Sequence, residues 1–245
     1  LFDDDDGLCH GSGSSLGASP SRVRHLTRLW RPMGLRVILA GMALRDFIKP
    51  RLQDCLMGMM DDLRPETLVE VEGEVLEVGF GTGRNLEHYG SGVKSLTGVD
   101  PMDASSVPKV GARIAQTRFP LERCTLRADG ELPFDAGRFD CIVTTWTLCS
   151  IPEVSLALAE MRRVLKPGGR YVFIEHGRAP NASTAAWQDR INPFWRRLAD
   201  GCNINRRIDR LVADGGFELA SMDRFRAKGP GIFAHMYRGV ATRQA

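Results

Sequence analysis

Apolar positions change their spacing near Gly73, and that change divides the chain into two textures. Between Ser21 and Leu63 the residues Leu26, Leu29, Trp30, Met33, Val37, Leu44, Ile48, Leu52, Leu56, Met59 and Leu63 stand mostly three or four apart, the period of an amphipathic helix. Pro32 and Pro50 lack the amide that a helix interior needs, so the stretch is predicted as two or three helical pieces. After Gly73 short β-rich runs recur instead, at Glu74 to Val78, Ser95 to Val99, Cys124 to Ala128, Phe139 to Thr144 and Arg170 to Glu175. Strands alternating with helical or loop segments predict an α/β fold, a parallel sheet covered on both faces. A helical insert at about 183–213 precedes two last strand candidates, Phe217 to Met222 and Ile232 to Val240. The predicted layout is a tail at 1–20, a helical cap at 21–66 and an α/β domain at 67–245.

Composition refines this layout. The tail joins the acidic run Asp3 to Asp6 to a Gly/Ser-rich stretch and is expected to be disordered, because it cannot offset its ordering entropy. The chain opens on Leu1, and part of this tail is read as a remnant or a truncation. A formal charge of +3 is too small to argue for nucleic acid, and composition alone leaves an enzyme acting on a small molecule and a binding module equally open. Between Arg22 and Arg51 seven arginines and Lys49 face the single acid Asp46. That stretch reads either as a cap over an active site or as a basic amphipathic surface for peripheral membrane contact. Arg36 and Arg45 interrupt the most apolar N-terminal run well short of the ~20 residues that cross a bilayer, and no secretory signal is visible. The expected location is cytoplasmic, with membrane association as the alternative. Cys9, Cys55, Cys124, Cys141, Cys149 and Cys202 form no C-x-x-C pair and have no histidine at metal-ligand spacing, so they are read as reduced thiols and no metal is expected.

The candidate chemistry begins at VLEVGFGTG, Val75 to Gly83. A buried strand there runs into a turn where Gly79, Gly81 and Gly83 let the backbone approach a ligand, and a helix is predicted to start near Arg84 and to offer unpaired amides. The dinucleotide spacing G-x-G-x-x-G wants a small last residue; Arg84 stands there, which turns the reading toward a nucleoside cofactor without a pyrophosphate. Asp100 closes the next strand, where an acid accepts hydrogen bonds from ribose hydroxyls; a turn aspartate before Pro101 is the alternative. Asp129, in the run RADGELPF, stands where it could meet an adenine amino group, with an Asp-Gly turn as its alternative. Asp140 reads as structural.

Taken in order, the glycine loop, Asp100, Asp129, the strand FDCIV and the turn LKPGGR (Leu165 to Arg170) resemble the motif series of class I methyltransferases. A narrower resemblance runs through GTGRNL, LCS (Leu148 to Ser150), EMRRVLKPGG, the pair Glu175 and His176, Trp187 and Gln188, NPFW (Asn192 to Trp195) and DGCN (Asp200 to Asn203). These segments are similar to the mammalian methyltransferase-like enzymes that S-methylate alkyl thiols, a family also labelled as phospholipid methyltransferases. The sequence departs from that family at Phe80, where a small residue is common, and in lacking the long apolar N-terminal anchor, which puts membrane residence in doubt.

The resemblance implies a Rossmann-like fold with a mostly parallel seven-stranded sheet and an N-terminal helical extension. It implies S-adenosylmethionine as cofactor, held by Glu77, Gly79, Gly81, Gly83, Asp100, Pro101, Asp129, Gly130 and Thr145. The expected acceptor is a small apolar thiol near Trp146, Cys149, Trp187 and Trp195, and His176 is the candidate base, since histidine titrates in the useful range. Asp200 and Cys202 are read as pinning the insert, and the structural alternative for the tryptophans is core packing. Methylation of a lipid, quinone or natural product at O, N or C, and a non-catalytic cofactor-binding protein, are the competing readings.

Overall fold

The computed structural model describes residues 9–11, 48, 51–101, 104, 107–126 and 131–244. Most of the predicted tail and cap therefore lie outside the described residues, as do Asp129 and Gly130. The described part of the cap is helical: α1 (51–57), a 3-10 turn at Gly58–Leu63, and α2 (Arg64–Leu68).

The strands are β1 (Cys9–Gly11), β2 (Gly73–Val78), β3 (Val93–Asp100), β4 (Leu121–Thr125), β5 (Phe139–Thr145), β6 (Leu165–His176), β7 (Glu218–Arg226) and β8 (His235–Thr242). They form one sheet in the order β1-β4-β3-β2-β5-β6-β8-β7. Strands β2 to β6 pair in parallel, while β8 runs antiparallel between β6 and β7. The predicted seven strands are present. A three-residue edge strand, β1, joins them from inside the stretch predicted to be disordered. Its Cys9 is in backbone register with Cys124, and Cys124 is disulfide-bonded, so the expectation of six reduced thiols fails there. Cys55, Cys141, Cys149 and Cys202 are free.

Alternation of side chains along each strand divides the core between two faces. Leu76, Val78, Ile142, Tyr171 and Phe173 pack with Leu158 and Met161 of α4 (Val154–Val164) and Val212 of α6 (Ile208–Asp214). Val75, Leu96, Val143 and Val172 pack with Leu68 of α2 on the other face. Glu77, two residues from Val75, falls on this second face and is buried with it. The strand order reverses between β2 and β5, since β3 and β4 continue to one side of β2 and β5 and β6 to the other. In open α/β sheets the crevice beyond the carboxyl ends at such a point is where ligands bind. The insert consists of α5 (Ala182–Leu198) and α6, and Asn181 caps α5 by accepting from Thr184 N at 2.8 Å. The β3 to β4 crossover carries α3 (Pro108–Ala115).

Candidate active site

The glycine loop leaves β2 at the switch point. Gly79, Gly81 and Gly83 have φ of 84°, 54° and 71°, left-handed values that only glycine adopts without strain. A methyl group on Gly79 would stand 2.0 Å from Thr147 Oγ1, so the loop after β5 packs directly on this turn. Gly81 is different: a Cβ there meets nothing nearer than 3.9 Å, which leaves the backbone open to a ligand. Its amide donates to Asp100 Oδ2 at 2.8 Å, tying the carboxyl end of β3 to the loop. Pro101 follows, exposed.

Phe80 occupies the place where a small residue was the common expectation, and its accommodation lies on the neighbouring strand. A Cβ on Gly98 would fall 2.4 Å from Phe80 Cδ2, so β3 gives up a side chain to admit the ring.

The helix predicted after Gly83 is absent; a single 3-10 turn, Leu86–His88, stands in its place. Several buried polar side chains meet around this turn. Asn85 Nδ2 donates to Glu77 Oε1 at 2.9 Å and to Thr145 Oγ1 at 3.1 Å, Tyr89 OH donates to Glu77 Oε2 at 2.8 Å, and Arg64 donates to Asn85. Burial pushes the Glu77 carboxyl up to about 7, against the lowering effect of the Tyr89 hydrogen bond. Glu77 and Thr145, both predicted cofactor contacts, are thus already engaged with the protein. Arg84 folds away from the loop to Asp54 of α1 and to Asp61, while Arg113 of α3 donates to Asp54 Oδ1 at 2.7 Å and to Thr82 O at 2.9 Å. Asp54 therefore fastens α1 onto the loop, and sequence reasoning had not singled it out.

At the carboxyl end of β5, Trp146 has a φ of 53° and a buried Nε1 with no hydrogen-bond partner. The Arg64 guanidinium lies 4.8 Å from its ring centre. The following loop is held by Glu175, which accepts from Thr147 N at 3.0 Å, Leu148 N at 2.9 Å and Cys149 N at 3.2 Å. Asn203 reaches Cys149 O from the other side, through its own amide at 2.8 Å and its Nδ2 at 2.9 Å, and Asn192 of α5 donates to Asn203 Oδ1 at 3.0 Å. The result is that Cys149, His176 and Cys202 lie together, with one ligand atom from each within 4.8 Å of the others.

Trp195 packs against this cluster and stacks on Phe233 at 4.2 Å. Trp187 does not join it; it is 54% exposed on the outside of α5, under Arg190. Its neighbour Gln188 is the buried member of that pair, accepting from Ala179 N at 2.8 Å and donating to Gly177 O and Ile232 O at 3.1 and 3.0 Å. A cavity of about 380 Å³ lies elsewhere, lined by Arg178, Asp189, Arg207 and Arg224 among others. Its guanidiniums are spent on Asp189 and Asp209, so it offers little free charge.

The fold and the open glycine loop beside Asp100 define a nucleoside-binding α/β protein of the doubly wound class. A family model described as "Methyltransferase domain" matches residues 76–173. Human thiol S-methyltransferase TMT1A is 31% identical over 155 residues, which is 62% of this chain and 63% of that protein, so the chain spans less than two thirds of that relative's length. The ubiquinone/menaquinone biosynthesis C-methyltransferase UbiE of Pseudomonas fluorescens is 32% identical over 215 residues, 77% of this chain and 82% of that one. Among solved structures, a SAM-dependent methyltransferase from Methanosarcina mazei superposes with a TM-score of 0.54 at 19% identity, covering 73% of this chain and 96% of the other. The chain belongs to the S-adenosylmethionine-dependent methyltransferases.

Proposed function

We propose that this protein transfers a methyl group from S-adenosylmethionine to the sulfur of a small apolar thiol. The residues fit the donor: Gly81 leaves open space at the loop, Asp100 sits at the end of β3, and Trp146 Nε1 is a buried donor without a protein partner. When bound, the donor supplies an activated methyl group, and the protein's task is to hold an acceptor in line with it at near-attack distance.

What carries the thiol reading is one convergence. Cys149, Glu175, His176, Asn192, Cys202 and Asn203 belong to the sequence segments that resemble thiol methyltransferases, and they meet at one place beyond the carboxyl ends of β5 and β6. The identity with human thiol S-methyltransferase TMT1A supports the same reading. A free thiol with a pKa of ~8.5 is mostly protonated at neutral pH, so the site must favour the thiolate, and His176 is the candidate base for that proton.

The test is labelled S-adenosylmethionine offered with alkyl thiols, phenols, amines, quinols and phospholipids in parallel. Label in the thiols is expected. Label confined to quinols or lipids would replace the acceptor, and donor binding without turnover on any of them would favour a non-catalytic cofactor-binding protein. A second reading, an acceptor at a membrane surface, draws on Ile48, Leu52, Leu56 and Met59, which are exposed three or four residues apart along the cap. No helix among the described residues is long and apolar enough to cross a membrane. Co-sedimentation with anionic liposomes, lost on replacing Leu52 and Leu56 with serine, is the expected signature of that reading.

A further inference from the structure

We propose that Cys149, His176 and Cys202 form a binding site for one thiophilic divalent cation, zinc in the first instance. The three come from separate segments: Cys149 from the loop after β5, His176 from the end of β6, and Cys202 from the turn between α5 and α6. One ligand atom from each lies within 4.8 Å of the others.

The spacing of the two sulfurs excludes a disulfide and admits a metal ion. Cys149 Sγ and Cys202 Sγ are 3.6 Å apart. Two thiolates at ~2.3 Å from a tetrahedral zinc stand ~3.8 Å from each other. A disulfide would need them at ~2.05 Å. The observed separation, that of an Sγ–H···Sγ hydrogen bond between the two thiols, excludes a disulfide and lies within a few tenths of an ångström of the edge of a metal tetrahedron. Buried cysteines also serve as small apolar side chains, a use that does not call for the hydrogen bond that His176 makes with Cys202. His176 Nδ1 is buried with no hydrogen-bond partner, a condition native proteins rarely tolerate without a ligand or a water.

The surroundings are built to fix ligands. Three amides fasten the Cys149 loop to Glu175, and Asn203, adjacent to Cys202, binds the Cys149 carbonyl. Asn192 orients Asn203 and also accepts from Ile204 N at 3.0 Å. Both sulfurs are thus held by the same polar frame. Trp195 and Phe233 flank it with apolar surface. Two thiolates, a neutral imidazole and a dication sum to zero charge, which suits a buried position.

Three protein ligands leave a fourth position of a tetrahedral site open, the arrangement of catalytic zinc centres. Resting on the thiol reading above, that position is where the acceptor sulfur binds. A thiol coordinated to zinc gives up its proton outright to solvent. The sulfur then forms its bond to the methyl carbon as the bond from that carbon to the donor sulfur breaks. His176 on this account holds the ion instead of acting as a free base.

The experiment uses the full chain, purified under reducing conditions and titrated with Zn2+ against a chromophoric chelator, with metal content measured on the isolated protein. One ion per chain is expected, lost in Cys149→Ser and in Cys202→Ser and weakened in His176→Ala. Titration with Co2+ should give the thiolate-to-metal charge-transfer and tetrahedral bands of a two-sulfur site. Retained S-adenosylmethionine binding in Cys202→Ser separates loss of the ion from loss of the fold. Failure of the reduced wild-type chain to bind Zn2+, or a cobalt spectrum without thiolate bands, overturns the site, and so does isolation of a Cys149 to Cys202 disulfide whose reduction restores no metal binding. Metal binding with no response of the cobalt bands to an alkyl thiol keeps the ion and removes the acceptor position. Methylation of thiols by a chain that binds no ion keeps the thiol reading and removes the site.

Discussion

Glu77 offers the sharpest test of how the cofactor loop is supported. Its carboxyl is 1% exposed, receives Asn85 and Tyr89, and is raised by burial from its ordinary 4.5 to about 7. Between those two values the folded protein holds a proton that the unfolded chain has released. Stability from this group is therefore fully present below pH 4.5, declines as pH rises, and is lost above about pH 7. Each tenfold change in proton affinity is about 1.4 kcal/mol, so the climb from 4.5 to about 7 amounts to about 3 kcal/mol. Glu77→Gln keeps the shape and imitates the protonated acid: its oxygen can accept from Asn85 and its amide can donate to Tyr89 OH. Urea denaturation of the wild type and Glu77→Gln should be followed from pH 4 to pH 8.5. Other groups titrate in both proteins, so the difference isolates this one. Near pH 4 the two should be of similar stability, and the variant should gain on the wild type by about 3 kcal/mol across the range. Parallel curves would refute the argument, because they would mean that Glu77 stays ionised in the folded protein and that the burial cost is met by its partners.

Two further predictions address the loop itself. Asp100→Ala removes the acid at the end of β3 and the acceptor for Gly81 N, and should abolish S-adenosylmethionine binding by calorimetry; retained binding would sink the ribose contact. For the pair Phe80 and Gly98, Gly98→Ala should destabilise by ~1–3 kcal/mol through overpacking and Phe80→Ala by ~3–5 kcal/mol through the cavity it leaves. The double variant should cost clearly less than their sum in urea, since the new methyl group enters space that the ring vacates; strict additivity would contradict the contact.

The sheet and the switch point were legible because strand spacing and the glycine turn are local signals. β2 and β5 lie within a residue of their predicted bounds, and Asp100 stands beside the loop as its position suggested. β4 runs Leu121–Thr125, about three residues before its predicted span, where a run of mixed polarity on an outer strand gave weak periodicity. What stayed hidden was the use of polar residues inside the core. Glu77, implied as a cofactor contact by the resemblance, is turned by alternation along β2 toward Asn85 and Tyr89, and no spacing rule announces those partners. Trp187 drew attention by its size, whereas Gln188 beside it does the fastening. The meeting of Cys149, His176 and Cys202 depends on β5 lying next to β6 and on the α5 to α6 turn folding back over both, so no local ligand spacing could reveal it.

The position of β8 bears on how the protein is made. β7 leaves the ribosome before β8, yet β8 is the strand that joins it to the sheet. Until β8 arrives, β6 presents an open row of backbone donors and acceptors, the kind of edge on which nascent chains associate wrongly. The connection between β7 and β8 spans only residues 227–234, so the two can zip as a hairpin and close that edge together. Synthesis thus leaves the sheet vulnerable over the short interval between the two strands, and an arrest there would yield a chain whose glycine loop is complete while its sheet edge is still open.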